Sequence, residues 1–135
     1  MYKKILIPVV LDTDRDIEQQ FSVAKALSDE TTDCTVLHVM EQIPRYIEVQ
    51  LPEEIRANTL NEAKLELAQA AEKLAGASSV LLSGHAGRCI VGFAHDNGFD
   101  CIIVASHVPV VSDILLGSTA SWIVRHSQCA VHVVR

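Results

Sequence analysis

The stretch Lys4-Ile5-Leu6-Ile7-Pro8-Val9-Val10-Leu11 is apolar without alternation. A strand with one face in water alternates between apolar and polar residues. A solid run points instead to a strand buried on both faces, as in a parallel sheet covered by helices on either side. Cys101-Ile102-Ile103-Val104-Ala105 has the same character. Pro8 carries no N–H for a ladder, so the first strand is expected to end near it.

The rest of the chain alternates strand and helix signals. Leu11-Asp12-Thr13-Asp14 is the strand-to-helix turn, with Thr13 or Asp14 as N-cap. Ile17, Phe21, Ala24 and Leu27 recur at helical spacing, which predicts a helix from about Arg15 to Asp29. The second strand is Cys34 to Met40. Glu41 to Leu51 is irregular. Pro52-Glu53-Glu54 then starts a long helix whose apolar stripe is Leu60, Ala63, Leu67, Ala70 or Ala71, and Leu74, with Gly76 closing it. Ser79 to Ser83 is a third strand, and Gly84-His85-Ala86-Gly87 turns the chain. Ile90, Val91, Phe93 and Ala94 form the buried side of a third helix. The fourth strand begins at Cys101, a fourth helix spans about Ser118 to His126, and Ala130 to Val134 is the fifth strand.

A strict β-α alternation with right-handed crossovers gives a single α/β domain over residues 1–135. It is an open parallel five-stranded sheet with helices on both faces, Rossmann-like, in the order 3-2-1-4-5. Ligands of such sheets sit beyond the carboxyl ends of the strands where the strand order reverses. That places the candidate site between Pro8–Asp12 and Val104–Thr119.

Composition limits the function classes. Aromatics are only 4% of 135 residues, so the core is aliphatic. The net charge of −6 argues against non-specific nucleic-acid binding and against anionic membranes, both of which need clustered Lys and Arg. The four cysteines form no C-x-x-C pair, the start of the chain lacks signal-peptide flanks, and no apolar stretch is long enough to span a bilayer. A cytoplasmic location is expected. The P-loop and the G-x-G-x-x-G fingerprint are both absent. Ser106, His107 and Asp12 supply the residue types of a hydrolase triad, but no G-x-S-x-G surrounds Ser106. The six histidines are scattered with no H-x-x-x-H pair, so no metal site is expected. His38 and His132 read as structural residues within strands.

Several ordered segments resemble the universal stress protein family. They are Lys4-Ile-Leu-Ile-Pro-Val9, Leu37-His38-Val39, Gly84, Asp100-Cys-Ile-Ile-Val-Ala-Ser-His107, Leu115-Leu-Gly-Ser-Thr119, Val124-Arg125-His126 and Cys129 to Arg135. The resemblance spans essentially the whole chain. It implies a dimerising α/β domain that, in one branch, binds ATP through G-x2-G-x9-G-[ST]. The first glycine of that pattern falls at Ala105 and the second at Val108. The final pair matches Gly117-Ser118, with eight residues, 109 to 116, in between, one fewer than the pattern has. The family's strand-one aspartate falls at Val10, and Asp12 follows two residues later. Val39 matches the adenine-side valine.

The departures have consequences. Val108 resists positive φ and crowds a phosphate. Pro109-Val110-Val111 is apolar, and no Lys or Arg lies between Asp100 and Arg125. Phosphates would rest on the amides of Gly117, Ser118 and Thr119 and the hydroxyls of Ser118 and Thr119, with Mg2+. Adenine would be held by backbone near Pro8, Val9, Val10 and Val39, and the fourth-strand end would contribute Val104, Ala105, Ser106, His107 and Val108. Two functions follow. One is a regulatory module binding ATP or another adenine nucleotide in a stress response, with no catalytic residue and at most slow hydrolysis. The other is a nucleotide-free dimeric adaptor plugged by its own loop. Either would act on protein clients. The flat, apolar last strand, through Val131, His132, Val133 and Val134, is the expected homodimer edge.

Overall fold

The computed structural model describes residues 1–41, 44–106 and 116–135. The elements run β1 (Lys4–Pro8), α1 (Asp14–Ala26), β2 (Asp33–Met40), α2 (Arg45–Glu48), α3 (Glu53–Glu72), β3 (Ser78–Ser83), α4 (Ala86–Asp96), β4 (Cys101–Ala105), α5 (Ser118–His126) and β5 (Ala130–Val134). The five strands form one sheet in the order β3-β2-β1-β4-β5, and every pairing is parallel. The expected fold class and strand order are therefore found.

Both faces of the central strands are buried, as a solid apolar run requires. Ile5 and Ile7 point into a layer with Ile17, Phe21 and Ala24 of α1 and with Leu67, Ala71 and Leu74 at the end of α3. Leu6 points the other way, into a layer with Ile90 and Ala94 of α4 and Ala120 and Ile123 of α5. Cys101 belongs to the first layer and is 1% exposed. Burial, with the nearby Cys129 and Asp100, pushes its thiol up to about 11. It packs as a small hydrophobe.

Two readings change. The irregular segment before Pro52 contains the single-turn helix α2, none of whose residues is buried. The long apolar stripe of α3 is only half used: Leu67, Ala71 and Leu74 are buried, but Leu60 is 41% exposed. The first half of α3 stands off from the sheet: Ile55, Thr59 and Leu60 line an open groove that they share with Arg45 and Glu48 of α2 and with Leu81, Leu82 and Ser83 of β3. Smaller shifts also occur: α1 ends at Ala26 and β4 at Ala105.

At the amino ends of the strands, Asp100 joins β1 to β4. Its carboxylate accepts hydrogen bonds from the Lys3 N–H at 2.9 Å and the Lys4 N–H at 3.0 Å. Partial burial opposes the charge, but these two backbone donors and the Lys3 ammonium outweigh it and hold the carboxyl below its ordinary value of 3.8. A depressed carboxyl stabilises the fold above its unfolded pKa, and that contribution disappears as the pH falls through the folded value. Asp100→Asn is expected to cost about 1 kcal/mol at pH 7. The deficit relative to wild type should shrink below about pH 4. Urea denaturation at pH 7 and pH 3 measures both.

Candidate functional site

Pairing between β1 and β4 covers only Ile5 with Cys101 and Leu6 with Ile102, whereas β1–β2 and β4–β5 each pair over five residues. Beyond Leu6 the two central strands part. A cleft of about 450 Å³ opens over their carboxyl ends, the place where the strand order reverses.

The expected residues distribute unevenly around this cleft. Pro8, Val9, Val10, Val39, Val104, Ala105 and Thr119 line it. Asp12, Ser106, Gly117 and Ser118 are not among the described lining residues. His107, Val108 and the apolar Pro109-Val110-Val111 lie outside the described residues. Asp12 is exposed at φ 78°, two residues after Val10, whose carbonyl accepts from the Thr13 N–H at 3.3 Å. That is the turn conformation that favours Gly or Asn, and Asp tolerates it. Thr13 occupies the N-cap position of α1, but its hydroxyl donates to the Val10 carbonyl at 2.6 Å instead of capping the helix. Asp12 and Thr13 thus shape the turn that carries Val10 to the lip. Gly117 precedes α5, and its N–H donates to the Ser106 hydroxyl at 3.4 Å, tying the end of β4 to the start of the helix.

The cleft also recruits residues that periodicity did not single out for the site. Gln20 of α1 is 1% exposed and lines the floor. Its side-chain nitrogen donates to the Pro8 carbonyl at 2.6 Å and the Ile103 carbonyl at 3.1 Å. His38 lines the β2 side and its Nδ1 meets the Val9 carbonyl at 2.9 Å, so the carbonyl selects the Nδ1–H tautomer. This extends the β1–β2 ladder past the end of β1. Thr13, Asp16, Leu37, Met40, Glu41, Ala86 and Ile90 complete the wall. A polar residue inside an apolar helix stripe was the available signal for Gln20. Nothing in the local sequence marks the others.

The electrostatics are one-sided. Among the described lining residues, Asp16 and Glu41 are acidic, and there is no Lys or Arg. Positive potential comes from helix starts, since Thr13 before α1, Ala86 at the start of α4 and the α5 dipole all face the cleft. The first turn of α5 receives no side-chain cap hydrogen bond, and Thr119 of that turn lines the cleft. Among the described residues, no group of three or more His, Cys, Asp or Glu side chains is placed to hold a metal. No helix among them is long and apolar enough to cross a membrane.

A family model described as "Universal stress protein family" matches residues 1–135. The chain belongs to the universal stress protein family. It is 28% identical over 139 residues to universal stress protein A homolog 2 of Coxiella burnetii (strain RSA 493 / Nine Mile phase I), covering 99% of this chain and 95% of that protein. Among solved structures it is similar to the hypothetical protein MJ0577, with a TM-score of 0.81 and 29% identity, covering 99% of this chain and 96% of that one. The universal stress protein of Archaeoglobus fulgidus, solved in complex with dAMP, shares the fold with a TM-score of 0.73 at 19% identity, covering 99% and 98% of the two chains.

Within this universal stress protein, α4, which forms one wall of the cleft, approaches α5 closely at Gly87. A Cβ built on Gly87 would lie 2.4 Å from Cδ1 of Trp122. Trp122 also stacks on His126 at 4.0 Å and meets the His85 ring edge-on at 5.2 Å, while the Arg88 guanidinium lies 5.4 Å from the indole. His85 caps α4 by accepting the Arg88 N–H at 3.1 Å. Trp122 is thus a packing residue that needs a glycine opposite it. Gly87→Ala must push α4 and α5 apart and is expected to cost about 1–3 kcal/mol in chemical denaturation, with loss of the Trp122 near-UV circular dichroism signal.

Proposed function

We propose that this protein is a nucleotide-binding regulatory module whose ligand is ATP or another adenine nucleotide, held in the cleft between the ends of β1 and β4. The observation that carries this reading is the shape of the cleft. It has an apolar floor and β2 wall at one end, through Leu37 and Val39, and the uncapped start of α5 at the other. A base is an apolar disc that fits the first end. A phosphate needs the backbone N–H groups and dipole of the second. The dAMP complex of the Archaeoglobus fulgidus relative supports the choice of an adenine compound.

The absence of a cation among the described lining residues shapes the ligand. Asp16 and Glu41 oppose free phosphate charge. Mg2+ suits them, because it binds through one or two carboxylates together with the phosphates of a nucleotide. This chemistry favours binding over turnover, since phosphoryl transfer needs a positioned nucleophile and charge neutralisation. The same acidity favours a second reading, a nucleotide-free adaptor of the same fold acting on protein clients. The two separate cleanly. Nucleotide released from freshly purified protein by heat, or a rise in melting temperature with millimolar Mg-ATP or AMP, is expected. A ligand at a hundred times its Kd stabilises by about 2.7 kcal/mol. No released nucleotide and no shift would leave the adaptor reading.

The module acts as a homodimer through β5. The strand ends the sheet, and Val131 and Val133 are partly buried on one face while His132 is exposed. An apolar edge without charged residues invites pairing with its copy. Light scattering at micromolar concentration should give twice the 14.7 kDa chain mass. Val133→Lys should shift it to the monomer, and a wild-type monomer would refute the interface.

A further inference from the structure

The parting of β1 from β4 has a local chemical cause. The Val9 N–H donates to the Leu37 carbonyl at 2.8 Å, so odd residues of β1 address β2 and Pro8 addresses β4. The Ser106 N–H donates to the Val134 carbonyl at 2.8 Å, so even residues of β4 address β5 and Ile103 addresses β1. With Leu6 opposite Ile102, the parallel ladder would satisfy the Ile103 carbonyl with the N–H of residue 8. Residue 8 is proline and has none. The ladder therefore stops, and in a fully buried setting it leaves an acceptor that must find another donor.

Gln20 supplies that donor. Its amide nitrogen reaches the Ile103 carbonyl at 3.1 Å and the Pro8 carbonyl at 2.6 Å. Both partners are carbonyl oxygens, so they determine which end of the amide faces them. Both hydrogens of the NH2 group are committed. A side chain rising from α1 has thus taken the place of a backbone hydrogen bond, and it sits between the two strands, where a backbone N–H would have drawn them together.

We infer that Gln20 is the positioning residue of the cleft: Pro8 deletes the donor that would close the sheet, and the Gln20 amide holds the resulting gap at a set width. For the ligand this rests on the nucleotide reading above. The gap, and the residue that holds it, stand on hydrogen bonds alone.

Two measurements test the clamp without any ligand. In wild-type protein, the Gln20 side-chain amide protons should be protected from solvent exchange in NMR, unlike those of exposed Gln50. Exchange as fast as that of Gln50 overturns the clamp. In Gln20→Glu, a carboxylate faces two carbonyls at neutral pH. Protonation restores one O–H donor, so this variant should gain stability relative to wild type as the pH is lowered from 8 to 5. A flat difference overturns the clamp as well.

The ligand arm compares Gln20→Leu with Leu67→Ala, a core substitution under α3 away from the cleft. At a temperature where circular dichroism shows both folded, Gln20→Leu should weaken AMP binding by about tenfold or more while Leu67→Ala binds as wild type does. Equal affinities in the two variants overturn the positioning role. If wild type itself binds neither AMP nor Mg-ATP, the nucleotide reading fails, and the exchange and pH measurements still decide the clamp.

Discussion

A missing N–H at Pro8 governs the centre of this fold. Parallel strands zip until something stops them, and here the stop comes two residues past the paired Leu6. With proline at residue 8, the next N–H of the β1–β4 ladder is missing where the strand order reverses. The unmet Ile103 carbonyl would be costly, at about 1–3 kcal/mol for a buried unsatisfied group. Gln20 removes that penalty, and no buried side-chain nitrogen or oxygen is left unpartnered among the described residues. A polar side chain at the heart of an aliphatic core is therefore part of how the cleft exists.

Around that gap the elements contribute unequal chemistry. β2 and α4 bring apolar walls, α5 brings its first-turn amides, and α1 brings a carboxylate at Asp16. The cleft combines an apolar end with a weakly positive end inside an acidic rim. Such a setting offers a ligand shape and backbone donors, with no Lys or Arg among the described lining residues. The position of α4 in turn depends on a steric fit, since Trp122 occupies the space a side chain at position 87 would need.

Much of the architecture was legible because continuous apolarity and helical spacing are local signals with different periods. β5 was read as Ala130 to Val134 and α5 as Ser118 to His126, and both stand so. At α3 the stripe predicts a buried Leu60, which is instead 41% exposed in a groove bordered by Leu81 and Leu82 of β3. Periodicity reports which face could be buried, and tertiary packing decides how closely that face is covered. The cleft was legible as a place and less so as a set of residues. Pro8, Val39 and Ala105 follow from strand ends, whereas Gln20 of α1 joins His38 of β2 and Glu41 just past its end by a convergence that no local pattern encodes.

By itself the sequence determined the class of sheet, its order and the end at which a ligand cleft opens. Solid apolar strands must be covered on both sides, and right-handed crossovers leave few ways to do so. It also contained the proline that interrupts the ladder. Only the tertiary structure decided what that interruption becomes. The Ile103 carbonyl lies 83 residues from Gln20 along the chain, and they meet because α1 packs across β1 and β4. A hydrogen bond depends on distance and direction in space, and those are set by packing.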